Sequence, residues 1–227
     1  MARVYLVVEG QTEQAVIERV LAPLLGEKRV YISAILAGSP GHKGGVRPFV
    51  EVRKDVVRLL RQEKLTYVGT FFDYYGLPVG DWPGKISATR ASFENRAHCV
   101  EDAMLKDIVT EMGADFRPER FIPYVQMHEL ESLLFAEPDV MACEFDRPDL
   151  AEDFRTIVTQ CGGCEKINDS PETAPSQRII RLHPAYRKGR SLNAHAPIIL
   201  GRIGIDRMRQ SCPHFGAWLS KLEALEE

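Results

Sequence analysis

The chain has 227 residues, 44% hydrophobic and 27% charged, with a formal net charge of −3 and material for one large globular core. No segment approaches ~18 consecutive apolar residues, so no membrane span is expected. Met1–Val4 runs straight into a strand pattern, so no signal peptide is expected, and an odd count of five cysteines fits reduced thiols in a cytoplasmic protein.

Val4–Val8 is short, apolar and β-branched, the pattern of a buried parallel strand, and it ends at Glu9-Gly10-Gln11-Thr12-Glu13. The next helix, Ala15 to Leu25, carries Val16, Ile17, Val20, Leu21, Leu24 and Leu25 on one face, and Pro23 is expected to bend or end it early. Tyr31–Leu36 reads as a second strand, followed by a glycine-rich loop from Gly38 to Gly45. Phe49, Val52, Val56, Leu59 and Leu60 line a second helix, and Tyr67–Phe72 is a third strand that closes at Asp73. This β-α-β-α-β order predicts an α/β fold with a parallel, doubly wound sheet and right-handed crossovers. With the second strand outside the first, strands one and three are neighbours about 4.8 Å apart. Glu9 and Asp73 then stand at adjoining carboxyl ends, where open α/β sheets collect ligands.

Tyr74–Lys85, rich in Gly and Pro, hangs from the same edge as an expected lid or binding loop. Phe93–Met112 reads as a helix, Phe121–Val125 as a fourth strand and Glu129–Phe135 as the start of another helix. Gly162–Pro175 is an irregular connection, and Ile198–Leu225 is helical in two pieces broken near Pro213. Residues 1–135 therefore form an α/β core, and 136–227 form a mainly helical extension packed on it as one structural unit. Cys161-Gly162-Gly163-Cys164 is half of a zinc ribbon, but no second pair supplies the four ligands, so a Gly-Gly turn is preferred. Residues 127–153 hold nine acids against Arg147, and residues 176–209 hold eight bases against Asp206. These runs either pair with each other or leave a local basic surface for phosphates.

Two carboxylates at two strand ends, Glu9 and Asp73, have the chemistry of a Mg²⁺ or Mn²⁺ site, because hard cations take oxygen ligands. Glu13, in the first helical turn, either favours the positive end of the helix dipole or touches the metal's waters. In His128-Glu129-Leu130-Glu131, Glu131 is the preferred third carboxylate and Glu129 the next; His128 and Glu131 would share a helix face. His128 is either a proton carrier or a satisfied buried group. His42-Lys43-Gly44-Gly45 resembles a phosphate-holding loop, although a plain glycine loop is preferred. Arg178, Arg187, Lys188 and Arg190 are better phosphate candidates because they cluster.

Val8–Glu13, Phe72–Pro78 and His128–Phe135, with Pro175–Arg178, Pro184–Lys188 and Cys212–Trp218, are together specific. Through them the chain resembles a Toprim-like prokaryotic family, domain-of-unknown-function family 4276, over nearly its whole length. The resemblance implies a Toprim-like (Rossmann-like) mostly parallel sheet flanked by helices, with a helical C-terminal extension. It also implies a glutamate after the first strand and an Asp-x-Asp after the third, together binding Mg²⁺ for phosphoryl chemistry. Glu9 and Asp73 match the first two; Tyr75 stands where the second aspartate is expected. Glu131 would then supply the missing oxygen, and Lys188 is the nearest match to the late lysine of such nucleases.

The expectation is a Mg²⁺- or Mn²⁺-dependent nuclease acting on DNA or RNA in a prokaryotic defence or DNA-metabolism setting. Glu9, Asp73 and Glu131 hold metal, Glu9 doubles as general base, and Lys188 and Arg178 steady the phosphate. An ATPase partner is implied by the resemblance alone. The alternatives are a non-catalytic module that binds nucleic acid or a partner ATPase, and a nucleotide-hydrolysing enzyme that shares the site.

Overall fold

β1 (Ala2–Val8) runs between β2 (Val30–Leu36) and β3 (Thr66–Asp73), and both pairings are parallel. The computed structural model describes residues 1–38, 45, 47–168, 170, 172–186 and 190–225, with the helical backbone alone for 190–194. The sheet order begins β2-β1-β3, so the first and third strands adjoin as expected, with Val8 opposite Phe71. Glu9 and Asp73 therefore leave the sheet at one edge.

The expected fourth strand is divided into β4 (Phe121–Ile122) and β5 (Val125–Gln126), both parallel to β3. Pro123 lies at the break and has no N–H for the ladder. The Thr70 hydroxyl takes over there: Tyr124 N donates to Thr70 Oγ1 at 3.0 Å, and Thr70 Oγ1 donates to Tyr124 O at 3.2 Å. Asp73 thereby gains Gln126 of β5 as its lateral neighbour.

Helices cover both faces, which is why β1 reads as a continuous apolar run. On one face lie α1 (Gln11–Val16), a π-helical stretch (Ile17–Leu21) and α2 (Ala22–Glu27). The wider turn precedes Pro23, whose ring would collide with the carbonyl four residues back, so the chain rewinds rather than stopping. On the other face lie α3 (Phe49–Gln62), α4 (Lys85–Arg90) and α5 (Phe93–Met112). Side-chain alternation sorts the strands: Val4, Leu6 and Val8 join the first core, while Val7 joins Phe72, Val56 and Met104 in the second.

The C-terminal part adds α6 (Pro138–Glu144), α7 (Ala151–Cys161), α8 (Pro175–Leu182), α9 (Arg190–Ile203), α10 (Ile205–Ser211) and α11 (Pro213–Glu223). Leu200, Phe215 and Trp218 of this part share one apolar cluster with Leu6 and Ile17. The tail has three helices instead of two. Gly204, at φ 79°, turns the chain between α9 and α10 before Pro213 opens α11. No helix among the described residues is long and apolar enough to cross a membrane.

Cys161-Gly162-Gly163-Cys164 is the end of α7, with Gly162 left-handed at φ 76° and Cys164 Sγ donating to Phe135 O at 3.3 Å. None of the five cysteines forms a disulfide. The acidic and basic runs meet in part: Arg207 pairs with Glu137 at 2.7 Å, and Arg202 pairs with Glu144. The Tyr74–Lys85 loop is anchored rather than loose. Trp82 is buried between Phe49 and Phe72, at 5.4 and 4.9 Å between ring centroids, and its Nε1 donates to Arg47 O.

Candidate functional site

Asp73 collects the charge of four glutamates. Its carboxyl is pushed well above the usual carboxylate range by burial first, then by Glu13, Glu9, Glu131 and Glu129 in decreasing order. Asp73 Oδ1 is shut off from solvent and has no hydrogen-bond partner among the described residues. The structure thus brings together the four sequence-predicted acids, Glu9, Asp73, Glu131 and Glu129, and adds Glu13.

Each acid is delivered by a distinct local device. Glu13 is buried in the first turn of α1, and an ideal Cβ at Gly10 would stand 2.8 Å from Glu13 Oε2. Gly10 is extended (φ −146°), so its missing side chain makes room for the Glu13 carboxylate instead of relieving backbone strain. The helix dipole alone does not describe Glu13: a group that merely met the dipole would face water, whereas this one faces Asp73.

Glu129 and Glu131 are fixed by a buried polar relay. Tyr124 OH donates to Gln126 Oε1 at 2.7 Å, and Gln126 Nε2 donates to Ser132 Oγ at 2.9 Å. Ser132 Oγ in turn shares its one hydrogen between the carbonyls of Met127 and Glu129, at 2.7 and 2.8 Å. The segment after Glu129 is a 3-10 helix, Leu130–Ala136, in which Glu131 is buried. Glu129 also holds the start of α8, where its Oε2 accepts Ser176 N at 3.0 Å. A carboxylate satisfies an otherwise unpaired helix N–H there. Tyr186 is buried with its hydroxyl unpartnered among the described residues, and burial, then Glu131 and Glu129, push its phenol up.

His128 does not share a helix face with Glu131, because it precedes the 3-10 helix rather than lying on it. Its ring packs between Tyr74 and Phe93, at 5.6 and 5.7 Å. Burial, then Arg96 and Lys85, lowers its pKa to about 4. A neutral imidazole with Nε2 unpartnered among the described residues is left. Lys85 is itself buried; its Nζ donates to Tyr74 O and lies 3.2 Å over the Tyr74 ring. Burial and then Arg96 lower the Lys85 pKa to about 8. Two basic side chains from α4 and α5 thus flank the chain neighbours of Asp73 and Glu129, and neither carries a sequence motif that marks it.

Arg178 is half-buried on α8, two residues beyond Ser176, with Nε donating to Thr173 O at 2.8 Å. His42, Lys43, Arg187 and Lys188 lie outside the described residues, as does the Arg190 side chain. Tyr75 is exposed and its N–H donates to His128 O at 3.2 Å, so the second aspartate position faces solvent. The donor set around Asp73 is all oxygen, and a sealed, unpartnered Oδ1 among like charges is the situation a hard divalent cation relieves.

The sequence profile described as Domain of unknown function (DUF4276) matches residues 8–223. No curated protein matches the chain, and no solved structure matches it.

Proposed function

This chain belongs to the DUF4276 family, and we propose that its carboxylate cluster binds Mg²⁺ or Mn²⁺ and hydrolyses phosphodiester bonds in nucleic acid, as a Toprim-like site would. The observation that supports this most strongly is the convergence of Glu13, Glu9, Glu131 and Glu129 on the Asp73 carboxyl, whose Oδ1 is shut off from solvent. Five acids packed together cost folding stability unless protons or cations share the site. Asp73, Glu9 and Glu131 would hold the cation, with Glu13 replacing the acid that Tyr75 lacks. Glu129 is the weaker ligand, since Ser176 N already occupies one of its oxygens.

When bound, the cation supplies Lewis-acid stabilisation of charge developing on a phosphoryl oxygen. The chain's own groups do the rest. Glu9, at the strand end, accepts the proton of the attacking water. Arg178 meets a non-bridging phosphate oxygen with its remaining guanidinium N–H groups, a planar donor set suited to that contact. Buried Lys85 and half-buried Arg96, which flank His128, would supply positive potential that draws an anionic strand toward this edge of the sheet.

The test is cleavage of single- and double-stranded oligonucleotides, DNA and RNA, at millimolar Mn²⁺. Wild type is expected to cut and Glu9→Gln to lose at least a hundredfold in rate. Equal rates in the two proteins would remove Glu9 from the chemistry. Oligonucleotide binding without any strand scission would favour a non-catalytic module, the reading that exposed Tyr75 supports.

A further inference from the structure

A second group of side chains, apart from the carboxylate cluster, has the donors and spacing of a transition-metal site. His98 and Glu101 are three residues apart on α5 and share a helix face. His214 comes from the first turn of α11, 113 residues after Glu101. His214 Nε2 stands 2.9 Å from Glu101 Oε1, and His98 Nδ1 stands 3.5 Å from Glu101 Oε2. One ligand atom from each lies within 4.8 Å of the other two. Donors held at ~2.0–2.1 Å around a tetrahedral ion lie about 3.3 Å apart, so small side-chain rotations close the site.

We propose that His98, Glu101 and His214 bind one Zn²⁺, or a similar borderline transition ion, joining α5 to α11. Two imidazoles and one carboxylate are a zinc donor set, whereas Mg²⁺ prefers oxygen alone. The ligands are held by partners of their own. Val125 N donates to Glu101 Oε1 at 2.9 Å, which fixes that carboxylate. The Tyr124 ring stacks on His214 at 5.2 Å and 19°, which fixes the imidazole plane. Glu165 accepts His214 N and Phe215 N at 3.1 and 2.9 Å, which fixes the start of α11. Such outer contacts are what orient metal-binding histidines and carboxylates. A helix tie by hydrogen bonding needs only the Glu101–His214 pair; the second imidazole at the other Glu101 oxygen is what an ion uses. His98 and His214 both open on a cavity of about 500 Å³ bounded also by Phe93, Met127, Cys164 and Lys166. Three protein ligands leave a fourth position for water or a ligand oxygen entering from that cavity.

The measurement is calorimetric titration of Zn²⁺ into the chelator-stripped Asp73→Asn protein, in which the carboxylate cluster has lost its central acid. One equivalent is expected to bind at micromolar concentration or tighter. In the same background His98→Ala and His214→Gln are expected to weaken binding at least tenfold, and Co²⁺ is expected to give tetrahedral visible bands that both lose. His98 is half-exposed (51%), so its alanine variant keeps the fold even if the His214 variant does not. No Zn²⁺ binding in the Asp73→Asn protein would overturn the proposal. So would undiminished affinity and an unchanged Co²⁺ spectrum in a folded His98→Ala variant. Neither result bears on the carboxylate cluster.

Discussion

Asparagine at Asp73 keeps the shape of the side chain and removes its charge, which separates the cost of the acidic cluster from its use. In the metal-free chain the folded-state pKa of Asp73 lies above its unfolded value, through burial and four glutamates. The stability this carboxyl contributes is therefore full below the unfolded pKa, near 3.9, and is lost as pH rises through the folded pKa. At neutral pH, metal-free Asp73→Asn should melt at or above the wild-type temperature, with a flatter dependence on pH. A cation reverses the order. At a free Mn²⁺ concentration of 100 times Kd, a site specific to the folded state adds about 2.7 kcal/mol. For 227 residues, an unfolding entropy of about 2.1 cal/mol/K per residue gives roughly 0.48 kcal/mol/K, hence a shift of about 6 °C. Scanning calorimetry in EDTA and in Mn²⁺ reads both effects. An equal Mn²⁺ shift in Asp73→Asn, or a metal-free variant melting well below wild type, would refute the reasoning.

Gly10→Ala places a Cβ against Glu13 Oε2, so Mn²⁺ affinity should fall about tenfold while circular dichroism and thermal midpoint change little; unaltered affinity would detach Glu13 from the site. Arg120→Met removes a buried guanidinium that donates to the carbonyls of Leu60, Glu63 and Thr66. Three stranded acceptors should cost about 3–5 kcal/mol in urea unfolding, and a loss under about 1 kcal/mol would contradict the burial reading. The His128 imidazole should titrate near pH 4 by NMR rather than near 6.5. Its folded pKa is depressed, so its contribution to stability is present above about 6.5 and lost as pH falls toward 4. A midpoint above 6 would contradict the burial of the ring first, and then its proximity to Arg96 and Lys85.

The alternating core and the parallel winding were legible because β1 and β3 are apolar on both faces, and a strand covered on both sides has that pattern in sequence. The adjacency of Glu9 and Asp73 followed from the simplest winding. Glu13 was harder to place, since a first-turn acid is already explained by the helix dipole; Gly10, three residues before it, was the available signal. Pro123 was likewise visible, and a missing N–H inside the expected fourth strand marks the division of β4 from β5. Glu129 as the partner of Ser176, and Glu101 as the partner of His214, join residues 47 and 113 positions apart. No local periodicity carries such contacts. Lys85 ends the expected loop and Arg96 lies in the expected helix without a motif to mark either, and only tertiary packing makes the lysine buried.

A Mn²⁺-soaked crystal measured at the manganese absorption edge puts the carboxylate cluster to the most direct test. An anomalous peak is expected within coordinating distance of Asp73 and at least one of Glu9, Glu13 and Glu131, absent from Asp73→Asn crystals. Millimolar Mn²⁺ with no peak at Asp73 would contradict a metal-dependent site there.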